Sequence, residues 1–206
     1  MQQTYFITGT STEVGKTIIS AIVAEALNAD YWKPVQAGAL AHTDTHKVAA
    51  LVSNPKTKLH KSAFNLKTPM SPHAAAKIDR VKISVEKIKR PTTTNHLVIE
   101  GAGGLLVPLN GTETIAGLIQ KTDRVIVVSR HYLGSINHTL LTVEALRSRN
   151  FEIFGIMFSG AKNPSTESAI AMITGATILG RVDEEPYFDK NVVREYAGLF
   201  KKKLKG

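Results

Sequence analysis

Short apolar runs alternate with amphipathic stretches along the whole chain. Tyr5-Phe6-Ile7-Thr8 predicts a first strand that ends at Gly9. Residues 16–28 place Ile18, Ile19, Ile22, Val23, Ala26 and Leu27 at helical spacing. Tyr31-Trp32-Lys33-Pro34-Val35 predicts a short strand stopped by Pro34, because the residue before a proline is restricted and the proline has no N–H. A helix is predicted from Thr43 to Val52, with Thr43 as its N-cap. Leu97-Val98-Ile99 is a strand running into Gly101-Ala102-Gly103-Gly104. Val125-Ile126-Val127-Val128 is another, without alternation, as expected of a parallel strand covered on both faces. A helix over 135–148, a strand from Ile153 to Phe158, a helix over 164–173, a strand at Ile178-Leu179-Gly180 and a final helix over 187–203 complete the pattern. The β-α-β order predicts an α/β fold: a doubly wound, mostly parallel sheet with helices on both faces. Residues 53–95, rich in Lys, Thr and Pro, read as an excursion from that sheet, so residues 1–206 are expected to form a single domain.

Composition narrows the function classes. Hydrophobic content of 43% and charged content of 21% are ordinary for a soluble globular protein. No apolar run reaches the ~20 residues of a membrane helix, and Met1-Gln2-Gln3-Thr4 lacks a signal-peptide start. Cytoplasm is therefore the expected location. The absence of cysteine excludes disulfides, thiolate zinc sites and thiol nucleophiles. The net charge of +9 could suit nucleic acid or acidic small molecules. Part of it lies in Lys201-Lys202-Lys203-Leu204-Lys205, which reads as a solvated helix end, and aromatics make up only 6%, without basic–aromatic interleaving. Neither a nucleic-acid nor a membrane partner is expected.

Gly9-Thr10-Ser11-Thr12-Glu13-Val14-Gly15-Lys16-Thr17 lies between the first strand and the first helix, where a phosphate loop belongs. Lys16 would reach the β- and γ-phosphates and Thr17 would place its hydroxyl on Mg²⁺. Five residues separate the two glycines, one more than the usual four, with Thr10 where the first glycine would fall. Lys33-Pro34-Val35-Gln36-Ala37-Gly38 ends the second strand, and active sites of such sheets lie outside the carboxyl ends of strands. Glu100 follows Val98-Ile99 and precedes glycines that allow close approach of backbone to a ligand. Asp44, in His42-Thr43-Asp44-Thr45-His46, reads better as a magnesium carboxylate supporting Thr17 and Glu100 than as part of a transition-metal site. Leu133-Gly134-Ser135-Ile136-Asn137-His138 opens a helix whose free N–H groups suit a carboxylate, and His138 reads as packing or solvated. Each has a plain alternative: a tight turn with a chance lysine, a surface lysine, a strand-terminal Glu, a helix-surface Asp. Ser71-Pro72-His73 could simply cap a helix.

Taken together, Gly-Thr-x-Thr-Glu-Val-Gly-Lys-Thr at 9–17, Lys-Pro-Val at 33–35, Ser-Pro-His at 71–73, Glu-Gly-Ala-Gly-Gly at 100–104 with Pro108-Leu109, and Leu-Gly-x-Ile-Asn-His at 133–138 resemble the dethiobiotin synthase family. They run in that family's order over most of the chain up to about residue 160, and include the five-residue glycine spacing. The resemblance implies an ATP- and Mg²⁺-dependent ligase that joins 7,8-diaminopelargonate and CO₂ into dethiobiotin, through a carbamate and a carbamic–phosphoric anhydride. It implies that Lys16, Lys33 and Thr12 act at the reacting groups. Glu13, Val14, Gly15, Lys16, Thr17 and Ser159 would hold the nucleotide, and Thr17, Asp44 and Glu100 the metal. Substrate would meet Thr12, Lys33, Ala37, Ser71 and Gly103. Because the family acts as a homodimer, Leu133, Gly134 and Asn137 would bind the substrate carboxylate of the neighbouring subunit. Ser11 replaces a common Asp, and Ala37 stands where a hydroxyl residue is common. Ser159 takes the place of a frequent Asn, and Gly180-Arg181-Val182-Asp183 takes that of Gly-x-(Ile/Val)-Pro.

The competing reading is a ParA- or MinD-like switch ATPase, which the positive charge favours. Such proteins carry an extra lysine early in the phosphate loop, where Ser11 stands here. An amidotransferase-like ligase would need a glutaminase domain, and a small-molecule kinase would leave Lys33 and Glu100 unexplained together.

Overall fold

The computed structural model describes residues 2–206. The strands are β1 (Thr4–Gly9), β2 (Asp30–Trp32), β3 (Val35–Ala37), β4 (Leu59–His60), β5 (Phe64–Leu66), β6 (Leu97–Gly104), β7 (Arg124–Arg130), β8 (Ile153–Ser159) and β9 (Ile178–Val182). The helices are α1 (Lys16–Leu27), α2 (Asp44–Leu51), α3 (Pro72–Ile78), α4 (Ser135–Arg147), α5 (Pro164–Thr174) and α6 (Lys190–Lys205).

Seven strands form one sheet in the order β4-β2-β6-β1-β7-β8-β9, and every pairing in it is parallel. The expected doubly wound α/β fold is thus observed. A core on one face joins Ile19, Ile22 and Val23 of α1 to Tyr196 and Phe200 of α6 and to Val48 of α2. The core on the other face joins Val143 and Leu146 of α4, Ile170 of α5 and Ala75 of α3 to Phe6, Ile99 and Phe158. Double coverage is why β6 and β7 read as unbroken apolar runs.

The helix caps follow the residues at their ends. Asn28 closes α1 in the left-handed conformation. Thr43 caps α2 by accepting from His46 N, and His46 Nδ1 accepts from Thr43 N, a reciprocal capping box. Asp189 accepts from Asn191 and Val192 N–H groups at the start of α6.

Two expectations change. The predicted strand across Lys33-Pro34 is split: β2 stays in the main sheet, whereas β3 leaves it and pairs with β5 in a two-stranded parallel ribbon. Pro34 cannot donate to a ladder; its carbonyl instead accepts from Phe64 N–H at 3.1 Å. Residues 53–95 are an excursion only in part, since β4 returns to the main sheet as its edge strand beside β2.

Candidate active site

β1 lies between β6 and β7, so the strand order reverses at its carboxyl end. Ligands of open parallel sheets bind at that switch point. The loop after β1 turns there because its glycines permit it. A Cβ on Gly9 would lie 2.6 Å from Val14 Cγ2, and Gly15 has φ +92°, a conformation side chains resist. Thr10 N–H donates to Val128 O of β7 at 3.1 Å, anchoring the loop.

A cavity of about 730 Å³ opens over these strand ends. Thr12, Lys16, Thr17, Lys33, Asp44 and Glu100 line it together. Ala37, Ser71, Gly103, Glu13 and Gly15 also line it, while Val14 is buried beneath the loop. Residues from Thr12 to Gly103 are therefore gathered in one cavity. Leu133, Gly134 and Asn137 are not in this group: they sit at the start of α4, and Leu133 is fully exposed at 104%. Ser159 also lies outside the cavity. It is buried, and its hydroxyl donates to Val14 O at 2.7 Å, tying β8 to the phosphate loop.

The charges form one connected cluster. Lys33 Nζ donates to Glu100 Oε1 at 2.8 Å and pairs with Asp44 Oδ2 at 2.7 Å, with Lys33 only 5% exposed. Thr17 Oγ1 donates to the same Glu100 Oε1 at 3.0 Å. Tyr31 O–H donates to Glu100 Oε2 at 2.8 Å. Lys47 pairs with Asp44 Oδ1 at 3.1 Å. Burial alone would drive Lys33 towards its neutral form, but Glu100 and Asp44 outweigh it and hold its pKa above the ordinary lysine value. Burial likewise opposes ionisation of Asp44, yet Lys33 and Lys47 keep its pKa below the usual carboxylate range. Lys16 donates to Ser11 O at 2.8 Å. Its pKa is lowered to about 8, first by burial and also by Lys33, with Glu100 and Asp44 resisting. Burial and then Glu100 push the Tyr31 hydroxyl well above its ordinary value, so it stays a donor.

The donor set fits a hard divalent cation. Hydroxyl and carboxylate oxygens are what magnesium takes, and Asp44 and Glu100 already converge on one cation, the Lys33 ammonium. Among the described residues no group of three or more His, Asp or Glu converges in the manner of a transition-metal site. His46 is occupied in its capping box, and His138 bonds Tyr132 on the surface at 2.7 Å.

Two lining or supporting residues escape the sequence patterns. Tyr31 is completely buried and reads from sequence as core. Arg130, at the end of β7, lines the cavity and pairs with Glu184 at 2.9 Å; its place after an apolar run at a strand end was the available signal.

Known proteins place this arrangement. An AAA-domain family model matches residues 3–192. The chain is 61% identical over 204 residues to the ATP-dependent dethiobiotin synthetase BioD of Christiangramia forsetii, covering 99% of each. It is 49% identical to that of Cytophaga hutchinsonii, covering 94% of each. Among solved structures, the septum site-determining protein MinD from Pyrococcus horikoshii, complexed with Mg-ADP, superposes with a TM-score of 0.65 over 99% of this chain and 94% of that one. MinD of Pyrococcus furiosus superposes with a TM-score of 0.61 over 100% and 98%. At 13% and 12% identity these two share the fold alone. Kinship in sequence and the phosphate loop with its lysine–carboxylate cluster agree, and the chain belongs to the dethiobiotin synthetase family.

Proposed function

We propose that the protein is a dethiobiotin synthase: it converts 7,8-diaminopelargonate, CO₂ and ATP to dethiobiotin, ADP and phosphate, as one P-loop domain in the cytoplasm. The observation that carries this reading is the meeting of Lys16 and Lys33 with Asp44, Glu100 and Thr17 in one cavity at the end of β1. The chemical demand is to bring an anionic carbamate to an anionic γ-phosphate. Cations fixed in a partly dry site offset that repulsion and follow the charge that develops.

The steps balance without a protein nucleophile. One substrate amine adds to CO₂ and loses a proton, giving the carbamate. A carbamate oxygen displaces ADP from the γ-phosphorus, giving the mixed anhydride. The second amine attacks the carbonyl carbon, phosphate leaves, and the ureido ring closes. Backbone N–H groups of Glu13 to Gly15, together with Lys16 and Thr17, cradle the nucleotide phosphates. A magnesium ion held by Thr17, Asp44 and Glu100 would screen the phosphate charge. Lys33 faces the transferring group, and Thr12 the carbamate end. Ala37, Ser71 and Gly103 bound the substrate. Tyr31 acts through Glu100, fixing the direction of its carboxylate. Leu133, Gly134 and Asn137 are free at the start of α4 to receive the substrate carboxylate of a second copy, which makes the working unit a homodimer. Ser159 supports the loop from beneath and lines, with Gly15 and Asp183, an adjoining hollow of about 250 Å³ where the nucleotide base would lie. No helix among the described residues is long and apolar enough to cross a membrane, and the switch-ATPase fold likeness carries no activity at such low identity.

The test is phosphate release from Mg·ATP and bicarbonate, with and without 7,8-diaminopelargonate, and with the product mass read out. Diamine-dependent release with a dethiobiotin mass is expected. Turnover indifferent to the diamine but stimulated by DNA or lipid would overturn the assignment.

A further inference from the structure

A second hollow lies at the amino-terminal ends of β1, β6 and β7, the edge of the sheet away from the phosphate loop. Its volume is about 530 Å³. Arg124, His96, Lys201, Lys205, Asn28 and Gln3 supply its polar wall, and no carboxylate side chain lines it. Among the described residues Arg124, Lys201 and Lys205 form no ion pair, although the molecule has nine such pairs elsewhere.

Its donors are aimed before any ligand arrives. The Arg124 guanidinium lies 4.9 Å over the Phe154 ring and donates to Tyr5 Oη at 3.5 Å. The Tyr5 hydroxyl in turn donates to Leu204 O at 2.9 Å, so the arginine is braced against α6. Gly206 lies beside the guanidinium, close enough that a Cβ there would be 3.4 Å from Nη1. His96 Nδ1 accepts from Gln3 N–H at 3.0 Å. With Nδ1 accepting, the ring's N–H is on Nε2, leaving a donor. Lys201 and Lys205 stand one turn apart on the same face of α6. The carbonyl ends of α1 and α6 also point this way and disfavour an anion, but Asn28 N–H satisfies Ala24 O and the cationic side chains outnumber them. An adjoining hollow of about 370 Å³ shares Asn28 and His96 and adds Lys56.

We propose that this hollow is an anion-binding site for a small molecule bearing two or more phosphate or carboxylate groups. Braced guanidinium and paired ammonium groups with no carboxylate side chain among the lining residues match such a ligand, and the concave wall favours a compact one over a nucleic-acid strand. The site is independent of the proposed reaction, since it shares no residue with the active-site cavity.

The test is an NMR titration of the whole chain with inorganic pyrophosphate at fixed ionic strength, following backbone amides residue by residue. Pyrophosphate also suits the phosphate loop, so the shifts of residues 9–17 are fitted separately from those of Asn28, His96, Arg124 and Lys201. Saturable shifts in the second set are expected. The exposed pair Lys201→Gln with Lys205→Gln should weaken that set about tenfold and leave the phosphate-loop set unchanged; Arg124→Gln should do the same. Citrate in place of pyrophosphate separates carboxylate from phosphate ligands. The inference is overturned by shifts confined to residues 9–17, by equal affinity in the variants, or by an oligonucleotide that binds these residues more tightly than pyrophosphate.

Discussion

Replacing Lys33 with alanine should separate the electrostatic role of this lysine from its chemical one. Among the described residues Lys33 is the only cation that touches both Asp44 and Glu100, and Glu100 is 1% exposed. Without the ammonium, two carboxylates roughly 5 Å apart repel by about 3 kcal/mol at an effective dielectric constant near 20. Removing one partner of a buried pair costs about 3–5 kcal/mol. Here the lower end applies, because Tyr31 and Thr17 still donate to Glu100 and Lys47 still pairs with Asp44. A loss of about 3 kcal/mol lowers Tm by roughly 6–12 °C in a chain of this size. The assay is thermal unfolding of the wild type, Lys33→Ala and the near-isosteric Lys33→Met, with millimolar MgCl₂ or with KCl at matched ionic strength. Magnesium should restore much of the lost stability in both variants and add little to the wild type, since a dication can take the ammonium's place between the carboxylates. Diamine-dependent turnover should be abolished in every condition. Variants that melt like the wild type, or gain no more from magnesium than it does, would refute the reasoning.

Tyr31→Phe deletes the donor to Glu100 Oε2 and should cost about 1–3 kcal/mol. The same change should raise the magnesium concentration for half-maximal turnover while sparing kcat at saturation; Mn²⁺ binding by EPR gives the affinity without turnover. Ser159→Ala frees Val14 O of its donor and should weaken ATP, GTP and CTP alike, as read by equilibrium binding; loss of discrimination among the bases would instead make Ser159 a base-reading residue. Glu25 offers a pH test. Its burial opposes ionisation, but Ser53 and Asn54 hydrogen bonds hold its pKa below the ordinary value. Its stabilisation is present above the unfolded carboxyl pKa of about 4.5 and is lost as pH falls through the lower folded value. Urea midpoints of wild type and Glu25→Gln should therefore differ near neutrality and converge as pH falls below the ordinary carboxyl range; a constant gap would refute the role.

The legible parts of this chain were those in which a local pattern and a tertiary demand coincide. β6 and β7 carry unbroken apolar runs at 97–99 and 125–128 because both faces are covered there, so their identity did not depend on knowing their neighbours. The phosphate loop carries its own punctuation at Gly9 and Gly15. β4 has two residues and β5 three; neither is long enough to show a period, and both exist because β2 and β3 offer a free edge. The break at Pro34 was legible as an ending, but not that Val35 restarts in a different sheet. Lys33, Asp44 and Glu100 could be placed at strand and helix ends, whereas their mutual contact is a product of register: Ile7 faces Glu100 across β1 and β6, and Trp32 faces Ile99 across β2 and β6. Tyr31 was hidden because a buried tyrosine in a strand looks like core until its hydroxyl finds a carboxylate.

That register also explains why a lysine can be buried at the reaction centre at all. An ammonium taken out of water normally loses its proton or its place. Here β2 and β6 are neighbours, so the residue after Trp32 and the residue after Ile99 emerge side by side, one cationic and one anionic. α2 begins with Asp44 just where a second anion is needed, held by Gln36 Oε1 accepting from Asp44 N–H at 3.2 Å. Lys16 and Lys33 are thereby balanced by Asp44 and Glu100, and Lys47 on Asp44 leaves the cluster with a small positive excess before substrates enter. A nucleotide polyanion and its dication bring opposite charges to the same place. Each can exchange partners with the cluster, the phosphates meeting the lysines as the metal meets the carboxylates, so that binding never leaves a buried charge alone. In the proposed reaction the same carboxylates would keep these cations ready for the carbamate and the transferring phosphate and release them as the metal binds.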